Sequence, residues 1–308
     1  VNNNLAILDL GTNTFHLLIV EVLGNTYKVL YKEKQFVKLG EYGLHHLNEK
    51  IIDRAVTVIE YYKEKLIEHK VTDAIIFGTA GLRMADNAKT LNDKIEGITS
   101  YKVKIISGIN EAKLIYYGVK QSLPNTIKNY LIMDIGGGSV EFILANNLGV
   151  LWAQSFNIGV SLLKNKYHTT EPIKQHQAKE LYKLLEEELK PLKKALQKNR
   201  THTLIGASGS FDTIADMSAN VPVKDGFVQL PIKDFDIIKQ NLIAKTYLER
   251  LSTENLANQR ADMIVVALLL IDFVLTTLEI KQMYKSDFAL KEGIIWAYLN
   301  EPEYLKTI

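Results

Sequence analysis

The sequence predicts an α/β protein of two duplicated domains, each a mixed sheet with helices on both faces, with a cleft between them. Two stretches repeat in the same order. Residues 8–18, LDLGTNTFHLL, line up with residues 133–143, MDIGGGSVEFI, at an offset of 125, and residues 76–81 line up with 204–209 at an offset of 128. The length of 308 residues suits two domains with buried cores. Each half also opens with the same order of elements. In the first, residues 5–10, 15–23 and 27–37 read as strands joined by tight polar or glycine-bearing turns. A helix follows over residues 49–68, where Ile51, Ile52, Ala55, Val58, Ile59, Tyr62 and Leu66 recur at helical spacing. Residues 73–77 read as a short buried strand, 84–96 as a helix, 101–106 as a strand and 110–121 as a helix. The second half repeats the opening with strands at 130–135, 139–145 and 150–156, helices across 159–198 and a strand at 203–206. The Pro- and Asn-bearing stretch 121–125 divides domain 1–124 from domain 125–308. A last helix near 288–300 is placed so that it can pack back on the first domain.

Composition narrows the class of function. There are 37 Lys and Arg against 35 Asp and Glu, a formal net charge of +2, which argues against a nucleic-acid polymer held on a broadly basic surface. The absence of cysteine removes disulfides, thiolate metal sites and cysteine nucleophiles. No basic region precedes the apolar run at Leu5, so no signal peptide is read there. Residues 263–278 are apolar, but they fall short of the ~20 residues a bilayer requires and Asp272 interrupts them. They read as a buried helix, and the expectation is a soluble, cytoplasmic chain without a membrane partner.

Glycine-bearing turns after strands carry the chemistry. Gly136, Gly137 and Gly138 follow an apolar strand and let backbone amides approach an anion, because no Cβ stands in the way. Asp134 closes that strand, and Glu141 shares a face of the next one with Ser139. Two carboxylates beside a phosphate cradle suit Mg²⁺, which takes one or two carboxylates plus phosphate oxygens. Asp9, Gly11, Thr12 and Asn13 repeat the arrangement, with His16 at the position of Glu141, where a structural role is the simpler reading. Gly78 to Arg83 follow a strand and open a helix, whose first amides favour an anion. Arg83 suits a bidentate phosphate contact or a purely surface role. Gly206, Ser208 and Gly209 are the counterpart in the second half. Glu111 lies in a first helical turn, as a capping residue or, if its loop faces the cleft, as a general base toward water.

Asp9 to His16, Gly78 to Arg83, Ile106 to Ala112 and Asp134 to Glu141, in this order, resemble the exopolyphosphatase and guanosine pentaphosphate phosphohydrolase family. Arg260 to Met263 and Leu290 to Gly293 extend the likeness to about residue 300. The resemblance implies ribonuclease H-like domains of the actin, hexokinase and heat-shock-70 ATPase superfold. It also implies metal-dependent hydrolysis, with Mg²⁺ or Mn²⁺, of the terminal phosphoanhydride of inorganic polyphosphate or guanosine pentaphosphate. Under it Glu111 is the catalytic residue, and Asp134 and Glu141 hold the metal. Asp9, Gly11, Thr12, Asn13, Arg83, Gly136, Gly137, Gly138, Ser139, Gly206, Ser208 and Gly209 bind phosphate, and a homodimer is among the partners. The chain departs from the family at Asn110, where many members carry glutamate, and at residues 206–210, which lack the usual Gly-Gly-Thr. It also lacks a His-Asp dipeptide, which implies no HD-like helical domain. An ATP-dependent kinase of the same superfold and a phosphate or alarmone sensor without hydrolysis are the alternatives.

Overall fold

In the computed structural model, which describes residues 3–219, 221 and 226–308, the chain divides into two units, neither of them a contiguous half. The first comprises the residues through Gly118 with Gly136–Gly138 and Leu290–Ile308; the second comprises Val119–Ile135 and Ser139–Ala289. The division falls inside a helix, not in the Pro-bearing stretch at 121–125.

In the first unit, β1 (Asn4–Leu10), β2 (Thr14–Leu23) and β3 (Thr26–Phe36) form an antiparallel meander. Then come α1 (Glu49–Glu68), β4 (Asp73–Gly78), α2 (Ala80–Met84), α3 (Ala88–Thr99), β5 (Val103–Ile105) and α4 (Gly108–Ser122). The sheet runs β3-β2-β1-β4-β5, with β4 parallel to both neighbours. Side chains alternate along β1. Ala6, Leu8 and Leu10 enter one core with Ile51, Ile52, Ala55 and Ile59 of α1, which leaves Leu5, Ile7 and Asp9 on the other face. The helix predicted at 84–96 lies at Ala88–Thr99, and the short α2 before it is a separate helix. Ala85 is extended, the Asp86 amide donates to the His45 carbonyl at 2.8 Å, and the Asn87 carboxamide bonds both the amide and the carbonyl of Leu47. These anchors hold residues 85–87 out of helical geometry.

The second unit begins alike, with β6 (Asn129–Ile135), β7 (Val140–Asn146) and β8 (Gly149–Phe156). It continues through α5 (Val160–Tyr167), α6 (Gln175–Glu188), α7 (Lys190–Lys198), β9 (Thr203–Gly206), α8 (Gly209–Met217) and β10 (Phe227–Leu230). Helices α9 (Ile232–Ala244), α10 (Tyr247–Leu251) and α11 (Ile264–Thr277) precede β11 (Gln282–Ser286). Its sheet runs β10-β11-β9-β6-β7-β8, so β8-β7-β6-β9-β11 reproduces the first sheet and β10 adds an antiparallel edge. The duplication extends to an irregularity. Pairing slips by one residue between Ile19 and Val20 in the first sheet and between Leu144 and Ala145 in the second, an offset of 125 once more. Apolar helix α11 is buried along nearly its whole length, and no helix among the described residues is long and apolar enough to cross a membrane.

The chain ends in the first unit with α12 (Leu290–Asn300), which packs against β1, and α13 (Pro302–Thr307).

Candidate active site

Three glycine-bearing turns of the first unit meet at one threonine. Gly11 to Thr14 form a tight turn closed by a 3.1 Å bond from the Gly11 amide to the Thr14 carbonyl, and a Cβ on Gly11 would lie 2.8 Å from that oxygen. From behind, the amides of Val37 and Lys38 donate to the Asn13 carbonyl and that of Leu39 to the Thr12 carbonyl, at 2.7 to 3.0 Å. The buried Thr12 hydroxyl would stand 3.0 Å from a Cβ on Gly81 and 3.0 Å from one on Gly138, while a Cβ on Gly137 would lie 2.7 Å from the Asn13 carboxamide. A side chain at any of these three positions would press on the Thr12 or Asn13 side chain, and glycine avoids that contact. Gly81 belongs to α2, whose five residues make barely more than one turn. That is shorter than the helix predicted there, so a helix dipole contributes little.

The same turn of α2 joins these loops to the glutamate. Two residues beyond Gly81, the Arg83 guanidinium donates to the Ile106 carbonyl at 2.8 Å and to Glu111 Oε2 at 3.0 Å. Glu111 is 6% exposed. Its amide donates to the Ser107 carbonyl at 2.9 Å, and the Ser107 hydroxyl accepts from the Asn110 amide at 3.3 Å. Serine therefore caps α4, and Glu111 is held by arginine. Arg83 thus has a partner that neither of its sequence-level readings supplied.

Asp9, at the carboxyl end of β1, faces a charged pair absent from the predicted site, the buried Lys291 and Glu292 of α12. Burial pushes the Asp9 carboxyl up from 3.8 to about 6; Lys291 works against the rise and Glu292 adds to it. The folded chain retains a proton on Asp9 that the unfolded chain releases, so this group costs stability as pH rises from about 4 to about 6. Asp9→Asn is therefore expected to leave stability unchanged below pH 4 and to raise it by up to about 3 kcal/mol above pH 6. Urea midpoints measured at both ends of that window check the sign.

The second unit carries a carboxylate row. Asp134 pairs with Glu141 across β6 and β7, and Glu141 with Ser155 across β7 and β8, so the three side chains share one face. Glu141, 2% exposed, accepts from the Ser139 hydroxyl at 2.7 Å and the Ser155 hydroxyl at 2.6 Å through Oε1. Ser155 escapes sequence reading because the one-residue slip in the β7–β8 pairing puts it opposite Glu141 where regular pairing would put Gln154. The remaining predicted residues have intramolecular neighbours. A Cβ on Gly206 would strike the Phe211 ring at 2.0 Å, and one on Gly209 would strike the Arg260 guanidinium at 1.6 Å. Burial draws the Arg260 guanidinium below its usual value, while Asp212 and Asp216 oppose the shift. Ser208 stands between these two glycines, its hydroxyl buried without a hydrogen-bond partner. Among the described residues no three His, Asp or Glu side chains gather into a metal cluster. The Asp134–Glu141 pair instead fits an ion that draws its other ligands from phosphate and water.

A model of the Ppx/GppA phosphatase family matches residues 18–301. A Haemophilus influenzae protein provisionally named an exopolyphosphatase is 30% identical over 296 residues, covering 95% of this chain and 90% of its own. The crystal structure of an exopolyphosphatase from Cytophaga hutchinsonii matches with a TM-score of 0.92 at 36% identity, over 97% of this chain and 98% of that one. The Aquifex aeolicus PPX-GPPA enzyme shares the fold, with a TM-score of 0.77 at 23% identity over 96% of this chain and all of its own.

Proposed function

The chain belongs to the Ppx/GppA phosphatase family, and from that premise we propose that it is an exopolyphosphatase-type phosphohydrolase. It releases terminal orthophosphate from inorganic polyphosphate, from guanosine pentaphosphate, or from both. The observation that carries this reading is the α2 turn, which sets Gly81 against Thr12 and Arg83 against Glu111. A phosphate cradle and a buried carboxylate are thereby joined within one helical turn.

The backbone of Gly11 to Asn13 and of Gly136 to Gly138 receives the non-bridging oxygens of the terminal phosphate. Glu111 orients a water and takes its proton as the water oxygen bonds to phosphorus. The bond from phosphorus to the bridging oxygen breaks, and the shortened chain leaves with the electron pair. Arg83 keeps the carboxylate in place and presents its remaining N–H groups to the charge that develops on the phosphoryl oxygens. Asp134 and Glu141 are the residues that would hold Mg²⁺ or Mn²⁺. The bound ion would supply positive charge against that of the phosphate chain.

Phosphate release from long polyphosphate, short polyphosphate, guanosine pentaphosphate and ATP, each with Mg²⁺ and with EDTA, tests the reading. Release from at least one of the first three with Mg²⁺, lost in EDTA, is expected. Transfer from ATP to an acceptor, or tight binding with no phosphate released, would overturn it.

A further inference from the structure

The loop that presents Glu111 is gripped from outside by the last residues of the first unit, which no motif marks. On β5, the Lys104 ammonium donates to the Leu305 carbonyl at 2.6 Å. On α4, the Tyr304 hydroxyl donates to Asn110 Oδ1 at 3.3 Å, one residue from Glu111. One turn further, the Lys113 ammonium lies 3.7 Å from the centre of the Tyr304 ring and 3.5 Å from Glu301 Oε2. Glu301 also accepts from the Tyr117 hydroxyl at 2.9 and 3.0 Å, and Tyr117 packs on Trp296 of α12 with ring centres 4.1 Å apart. Leu305 is buried beneath this arrangement.

These contacts bracket residues 105–109 on both sides, with Arg83 holding the Ile106 carbonyl between them. A loop held at both ends and in the middle has little freedom to displace the carboxylate that follows it. Lys113 adds a cation–π contact that fixes the ring, so the hydroxyl of Tyr304 meets Asn110 in one orientation.

We infer that Tyr304 is a positioning residue for Glu111, acting through Asn110 to fix the first turn of α4. The inference rests on the assignment of Glu111 as the base in the proposed reaction. It places the grip on the chemical step and not on substrate binding, because neither Tyr304 nor Asn110 belongs to a phosphate loop.

Tyr304→Phe, Asn110→Ala and the double variant are assayed in the 308-residue chain on long polyphosphate with Mg²⁺, with thermal unfolding recorded for each. Tyr304→Phe is expected to lower kcat about fivefold with KM held within about twofold. Asn110→Ala should do the same, and the double variant no more than either alone, because both remove one link. The inference is overturned if Tyr304→Phe keeps the wild-type kcat, if KM rises in step with the loss, or if the two losses multiply. Glu111→Gln measured alongside separates the two levels. Wild-type turnover there removes the base itself, whereas an inactive Glu111→Gln beside a fully active Tyr304→Phe removes only the positioning role.

Discussion

Glu111→Gln is expected to lower the rate of phosphate release by about a thousandfold and to leave the fold standing. The amide has the volume of the carboxylate and an oxygen able to accept from Arg83, so the 3.0 Å contact can persist as a hydrogen bond from the guanidinium to a neutral acceptor. What it lacks is the capacity to take a proton from water. Glu111 is buried and its amide is tied to Ser107, so no neighbouring solvent-facing group replaces it without movement of α4. Glu111→Asp keeps the proton acceptor but draws it back by one methylene, and retains more rate than the glutamine variant. Steady-state kcat beside a urea unfolding curve distinguishes lost chemistry from lost structure. A glutamine variant that turns over like wild type ends the assignment.

Gly293→Ala is expected to unfold the first unit more readily than any other single methyl group added there. A Cβ at Gly293 would lie 1.7 Å from the Leu114 carbonyl oxygen, 2.6 Å from its carbon and 3.0 Å from the Gly118 amide nitrogen. All three are backbone atoms of α4, so no rotamer change relieves the overlap and α12 must move away. Overpacked cores commonly lose 1 to 3 kcal/mol, and a helix crossing without slack belongs at or above about 3 kcal/mol. Activity falls with stability, because α4 carries Glu111 while α12 carries Lys291 and Glu292 beside Asp9. Gly97→Ala is the control. It lies in α3 with nothing within 4 Å of an added Cβ, and the change should stabilise by about 0.5–1 kcal/mol. Urea midpoints of the two variants moving in opposite directions support the crossing; equal midpoints contradict it.

The paired motifs were legible because duplication places one pattern twice in the chain, and Asp9 and Asp134 both close the first strand of a unit. The Arg83–Glu111 pair was not, since 28 residues separate its members and spacing along the chain carries no record of that approach. Ser155 was hidden by the irregular pairing of β7 and β8. Strand β10, with four residues, is too short for alternation to register, and β11, QMYKS, lacks a regular polar–apolar alternation. The break between α2 and α3 depends on hydrogen bonds to residues 45 and 47, which local helix propensity does not contain.

The scattered membership of the first unit bears on how the molecule is made. Its sheet is complete in sequence by Ile105, yet Gly136–Gly138 come from the middle of the chain and Leu290–Ile308 from its far end. A ribosome that has delivered the early strands must synthesise about 185 further residues before α12 can reach β1. During that interval Leu5, Ile7 and Asp9 await their cover. The core of the first unit is therefore finished only after the whole of the second has been synthesised.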